Sequence, residues 1–131
     1  MKEFLFSAQG RFNRAKFWKA VLYYIAASFI VGVLLTLLWV IFPGEIKEDG
    51  TYSVSGVAAI PYLVLIFGYI IALVCSGIAI GIKRYHDRDK SGWWILIQFV
   101  PFIGAIWYFV ETGFLTGTPG PNRFGPDPLV R

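Results

Sequence analysis

The sequence predicts an all-α integral membrane protein, a small bundle of three transmembrane helices forming one membrane domain over residues 1–131. Three observations carry that prediction. Of the 131 residues, 56% are hydrophobic and 15% charged, which is too apolar for an ordinary soluble domain, and the length bounds the chain to one small domain. The apolar residues gather into three runs, about Phe17 to Phe42, Val57 to Ile82 and Trp93 to Leu115. Each run exceeds the roughly 18 to 20 residues that cross a bilayer as helix.

Met1 to Gln9, MKEFLFSAQ, is short and mixed. The long run that follows lacks a small-residue cleavage site, so it reads as a retained signal anchor and not a cleaved signal peptide. GRFNRAKFW, Gly10 to Trp18, then brings Arg11, Arg14 and Lys16 among aromatics, with Arg11 and Arg14 spaced to share one face of a helix. In the first run Trp18, Tyr23 and Tyr24 lie near one end and Trp39 near the other, as aromatic belts do. Pro43 and Gly44 end it. Ser28 and Gly32 form a small-xxx-small pair that permits close helix approach.

Glu45 to Gly56 is an acidic loop, EIKEDGTYSVSG, in which Asp49-Gly50 signals a turn and TYSV is too short for more than a transient strand. The second run carries Pro61 in its first turns, where proline is tolerated. Further along, Gly77 and Gly81 make a GxxxG, a better packing face than Ser28 and Gly32. The third run is interrupted by Pro101 and Gly104, so it is either kinked or re-entrant there. The polar tail, residues 116–131, contains GTPGPNRFGPDP, whose prolines and glycines allow turns only.

Between the second and third runs lies KRYHDRDKSGWW, Lys83 to Trp94, a strongly charged stretch lodged between apolar neighbours. The formal charge of +4 and pI near 9.3 do not point to nucleic acid, because the basic residues flank membrane runs and build no independent polar face. Lipid head groups are the indicated partner. Lys and Arg are concentrated before the first run, in the platform and in the tail, with Lys47 alone in the acidic loop, so the positive-inside rule places the N-terminus and platform in the cytoplasm. Three full spans then put the tail on the opposite side, where Arg123 cannot reach Asp87; this is the favoured reading. The rival has Trp93 to Val100 enter and Ala105 to Leu115 return, gathering all polar motifs on one cytoplasmic surface.

GRFNRAKFW, KRYHD, DKSGWW, PFIG and PGPNRFGPDP together resemble the domain of unknown function 805 (DUF 805) family of small bacterial inner-membrane proteins, over nearly the whole chain. The chain departs from the family pattern at Tyr85, where leucine is usual, and at Asp89, where glycine is common. The resemblance implies an inner-membrane location and several helices, and supplies no activity.

Adjacent His86 and Asp87 invite a catalytic reading, but consecutive helical side chains diverge by about 100°, and no second histidine or nearby cysteine completes a zinc site. The lone Cys75 lies inside an apolar run, so no intramolecular disulfide forms. No catalytic residue, metal or cofactor is assigned. Ser91 is placed to cap the third helix, and free N–H groups there with Lys83, Arg84 and Lys90 suit the phosphate of an anionic lipid. The interaction platform therefore comprises Arg11, Arg14, Lys83, Arg84, His86, Asp87, Lys90, Ser91, Gly92, Trp93 and Trp94, with Asn122, Arg123, Gly125 and Asp127 as a tail motif. The functional expectation is a non-enzymatic membrane module that assembles with itself or another membrane protein. The alternative is a subunit of an oligomeric channel or transporter.

Overall fold

The computed structural model describes residues 2–129, for Lys2 the backbone only; Arg131, counted above among the basic residues, lies outside them. The elements in order are α1 (Lys2–Phe6), α2 (Arg14–Ile41), β1 (Glu45–Ile46), β2 (Tyr52–Ser53), a 3₁₀ turn (Gly56–Ala59), α3 (Ile60–Asp87), a 3₁₀ helix (Gly92–Phe99) and α4 (Ile103–Gly113). Residues Met1–Leu22 with Val74–Arg131 form one compact unit, and Tyr23–Leu73 a second.

Helix α2 starts earlier than its apolar run because Asn13 caps it: the Asn13 carboxamide oxygen accepts from Lys16 N at 2.9 Å. It ends just short of Pro43, which cannot continue it. In the second unit Ser28 Oγ donates to Tyr24 O at 2.7 Å and shares a 2.5 Å hydrogen bond with Tyr69 Oη, while Tyr62 Oη donates to Phe42 O at 3.1 Å. Around Gly32 there is open space. Most of the apolar side chains of α2, among them Ile25, Phe29, Val33 and Leu37, are exposed. The acidic loop is a small antiparallel hairpin pairing Glu45 with Ser53 and Ile46 with Tyr52. Asp49 closes its turn by accepting from the backbone N–H and hydroxyl of Thr51, bonds that hold its carboxyl below the usual carboxylate range.

Helix α3 runs 28 residues and continues through Asp87, so KRYHD forms its last turns. Beyond it the chain turns at Asp89, whose φ of +55° is a left-handed conformation that suits glycine, the residue common there in the resembling family, and that aspartate tolerates better than most.

The third apolar run is not one helix, which corrects the three-span expectation. It divides into the 3₁₀ helix and α4, packed on each other as a hairpin. Pro101 breaks the first arm, and Phe102 at the tip has φ +62° with 94% of its surface exposed. The arms close through Gly104, where an added Cβ would overlap the Ile97 carbonyl oxygen. An 11-residue α4 is about 16 Å long and an 8-residue 3₁₀ helix about the same, each near half of a roughly 30 Å hydrocarbon core. The core of this unit joins Phe12, Phe17, Ala20, Ala79, Ile80, Tyr85 and Ile95, flanked by edge-to-face rings of Trp18, Phe109 and Phe114.

Candidate functional site: two buried charge clusters

The first cluster centres on Asp87, at the end of α3. Helical spacing sets Arg84 one turn back, and its Nη1 donates to Asp87 Oδ2 at 2.9 Å. From the stretch before α2, Arg11 Nε donates to Asp87 Oδ1 at 3.1 Å. Both guanidiniums are then completed by carbonyls from distant segments. Arg84, fully buried, donates to Thr112 O at 2.6 Å, Phe12 O at 2.8 Å and Leu115 O at 2.9 Å. Arg11 donates to Gly120 O at 2.5 Å and Thr118 O at 2.6 Å. Two cations and one carboxylate are thus removed from water with their donors met by four segments of chain, which is the condition under which buried charge is tolerated. Gly117 passes so close to the Asp87 carboxylate that no Cβ fits there.

The second cluster is made by Glu111 of α4, buried, whose Oε1 accepts from Lys90 and pairs with Arg88 Nε at 3.1 Å. The Lys90 ammonium also lies 4.7 Å above the Trp94 ring. Tyr85 Oη and Arg88 Nη1 are buried without a hydrogen-bond partner among the described residues.

The tail folds over the end of α3. Thr118 N donates to Asp87 O at 2.9 Å and Asn122 Nδ2 to His86 O at 2.9 Å. Asn122 and Gly125 exchange two 3.0 Å backbone hydrogen bonds, and the Phe124 ring stacks on His86 at 3.9 Å. Arg123 pairs with Asp89 at 3.1 Å, both exposed. Asp127 accepts from Leu129 N and Gly120 N at 2.9 Å each, and these two backbone donors hold its carboxyl below the usual range. The expectation that the tail lies on the face opposite the platform is therefore corrected: the hairpin returns the chain, and the tail binds the platform directly.

The remaining platform residues are spent differently from the phosphate geometry read in the sequence. Lys83 Nζ donates to Phe4 O at 2.6 Å and Glu3 O at 3.2 Å, near the end of α1, and lies over the Phe12 ring. Arg14 donates to Phe114 O at 3.1 Å. Ser91 does cap a helix, the 3₁₀ helix, accepting weakly from Trp93 N at 3.5 Å, while Gly92 packs on Ile82 and Trp93 is exposed. Arg84 and Lys83 donate to backbone carbonyls, and Lys90 pairs with Glu111. Of the GxxxG pair, Gly77 faces open space, whereas Gly81 is covered by Ile95 and Tyr108 of its own chain. Sequence reasoning missed Glu111, Arg88, Thr118 and Phe124. The signal for Glu111 was its place in an apolar run, since an ionisable group there needs a named partner.

Among the described residues no group of three His, Cys, Asp or Glu is placed to hold a metal ion. Two apolar helices of spanning length, 28 residues for α2 and 32 for Gly56–Asp87, and a charge-clustered end define a helical integral membrane protein. The family model described as "Protein of unknown function (DUF805)" matches residues 5–126, and the chain belongs to that family. It is similar to inner membrane protein YhaH of Escherichia coli (strain K12), 34% identical over 123 residues that cover 93% of this chain and 87% of that one. It is likewise similar to inner membrane protein YhaI of the same strain, 35% identical over 120 residues covering 91% and 83%. The chain is an inner-membrane protein. No solved structure matches it.

Proposed function

We propose that the chain is a non-catalytic membrane module in which α2 and α3 cross the bilayer, the hairpin Gly92–Gly113 enters and leaves from the cytoplasmic side, and the polar segments form a cytoplasmic cap for assembly with itself or another membrane protein. The observation that carries this reading is the convergence of Arg11, Arg84 and Thr118 on Asp87, with Gly120 accepting from the same Arg11, which needs the N-terminal stretch, the end of α3 and the tail at one place. Charge supports the orientation, because Lys47 is the one basic residue between the two long helices. Backbone bonding supports the hairpin: residues 100–102 separate the two packed helical arms, and there Val100 N, Ile103 N and Gly104 N donate to the carbonyls of Ile97, Pro101 and Val100.

Occupied side chains support the absence of catalysis. Asp87 is held by two guanidiniums and the His86 ring is stacked on Phe124, so neither is disposed toward the other as base and orienter. The channel or transporter alternative draws less support, because Ser28 and Thr36 bond to carbonyls of their own helix and Glu111 is neutralised by two cations. Assembly is favoured by the exposed apolar length of α2 and the open space around Gly77.

Native mass spectrometry from mild detergent tests the reading. A defined dimer or small oligomer, or stoichiometric co-purification of another membrane protein, is expected. A stable monomer with no partner would contradict assembly, and a large ring would favour the channel.

A further inference from the structure

Buried charge around the first cluster does not balance. Arg11, Lys83 and Arg84 are all buried, and their one carboxylate partner among the described residues is Asp87, which pairs with the two arginines. Lys83 is left over. Its ammonium, in a residue only 3% exposed, donates to the carbonyls of Phe4 and Glu3, lies over the Phe12 ring and forms no ion pair among the described residues. Carbonyls satisfy donors but carry no net charge, and a buried cation without a counter-ion is costly. The surplus faces a cavity. An opening of about 460 Å³, within the roughly 300 to 1,000 Å³ typical of small-molecule sites, is lined by Ser7, Gln9, Arg11, Lys16 and Lys83, with Glu3 as the one carboxylate. Arg11 is already matched by Asp87, so Lys16 and Lys83 stand against Glu3 alone, and neither forms an ion pair with it among the described residues. Lys16, in the first turn of α2, is exposed, and its ammonium has no hydrogen bond among the described residues. Ser7 Oγ accepts from Gln9 N at 3.2 Å, which leaves its hydroxyl proton to donate.

We propose that this cavity binds one phosphate group, with Lys16 and Lys83 as its counter-ions and the Ser7 hydroxyl as a further donor. Charge selects the class of ligand. The buried Lys83 ammonium lacks an anion, and lysine meets phosphate as a point charge. Donor supply agrees: Lys16 keeps all its ammonium donors, Lys83 keeps one beyond its two carbonyls, and a phosphate brings several acceptor oxygens to one point. A lipid head group and a soluble phosphate ester offer the same chemistry, and titration separates them. The cavity also differs from the generic attraction of basic residues to anions, because its wall at Ser7 is uncharged and can be blocked while every charge stays in place.

The test is isothermal titration calorimetry of the full chain in an uncharged detergent. Glycerol 3-phosphate is the soluble probe, and dioleoyl phosphatidylglycerol and dioleoyl phosphatidylcholine, which carry the same acyl chains, are the lipid probes. Binding of one equivalent of glycerol 3-phosphate is expected, or of one phosphatidylglycerol with a preference over phosphatidylcholine of at least about fivefold, and the probe that binds identifies the source. Lys16→Gln should weaken that binding about fivefold or more, the increment of roughly one cationic contact. Ser7→Phe, which fills the cavity at unchanged charge, should weaken it about tenfold or more. Gln9→Trp, at an exposed position of the same wall, is a second blocking variant should Ser7→Phe lower the melting temperature; Lys16→Gln, also exposed, should leave that temperature unchanged. No binding of glycerol 3-phosphate together with equal binding of the two lipids would overturn the proposal, as would affinity unchanged in Lys16→Gln. Weakening in Lys16→Gln with none in either blocking variant is generic attraction and would overturn it too. These outcomes leave the membrane-module reading standing, because assembly does not depend on this ligand.

Discussion

Replacing Arg84 by alanine should be among the most damaging single changes the fold can suffer. The guanidinium is fully buried and donates four hydrogen bonds, to Asp87 and to the carbonyls of Phe12, Thr112 and Leu115. Removing one member of a buried pair costs about 3 to 5 kcal/mol, since the partner is left charged and under-satisfied, and each orphaned buried carbonyl adds about 1 to 3 kcal/mol before relaxation. Arg11 still faces Asp87, and clustered terms do not add fully, so a net loss of about 4 to 6 kcal/mol follows. Against a total stability of about 5 to 15 kcal/mol, that lowers the melting temperature by about 10 to 25 °C. Arg84→Lys keeps the charge without the planar fork and should fall between. Arg123→Ala removes an exposed pair and should cost less than about 1 kcal/mol. Thermal unfolding of the three variants in the same detergent decides the matter. Arg84→Ala melting within a few degrees of Arg123→Ala would refute the reasoning.

Close backbone approach makes a second prediction: Gly117→Ala and Gly104→Ala each cost about 1 to 3 kcal/mol, while Gly77→Ala is neutral or stabilising, as measured by the same unfolding. Leucine separates the GxxxG positions, with Gly81→Leu destabilising the single chain through Ile95 and Tyr108, and Gly77→Leu leaving stability intact but shifting the oligomer distribution. Asp127 makes the tail contact pH-dependent. Its folded pKa lies below its unfolded value, so its contribution is fully present above about pH 4 and is lost as pH falls through the folded pKa. Hydrogen exchange in residues 117–129, corrected for intrinsic rates, should rise below that pH in the native chain, and Asp127→Asn should abolish the change.

Local rules made the two long helices legible. Charge-free length, Pro43 and Pro61 bound α2 and α3 within a few residues, and Asn13 escaped notice as a cap because its effect lies in one side-chain hydrogen bond outside the apolar run. The third run was ambiguous in kind. Pro101 is compatible with a kinked span or a reversal, and what separates them is the φ of Phe102 and the fit of Gly104 under Ile97, neither of which leaves a pattern in hydropathy. The charged residues Arg11, Arg84 and Asp87 stood out as expensive to bury, yet their chief partners are carbonyls of Phe12, Thr112, Leu115, Thr118 and Gly120, groups every residue carries. No motif can announce such acceptors. A reading that separates the tail from the platform deprives Asn122 and Arg123 of His86 and Asp89 as partners, so one ambiguity at the hairpin spreads to a whole half of the site.

Cysteine accessibility tests the central claim, that the N-terminal stretch, platform and tail share the cytoplasmic face. Single cysteines at the exposed positions Leu129 and Glu48, in a Cys75→Ala background, are probed with a membrane-impermeant maleimide in cells whose outer membrane has been made permeable. The account predicts that Glu48→Cys labels before lysis and Leu129→Cys only after it. Labelling of Leu129→Cys in intact inner-membrane vesicles of right-side-out orientation would place the tail outside and contradict the shared cap.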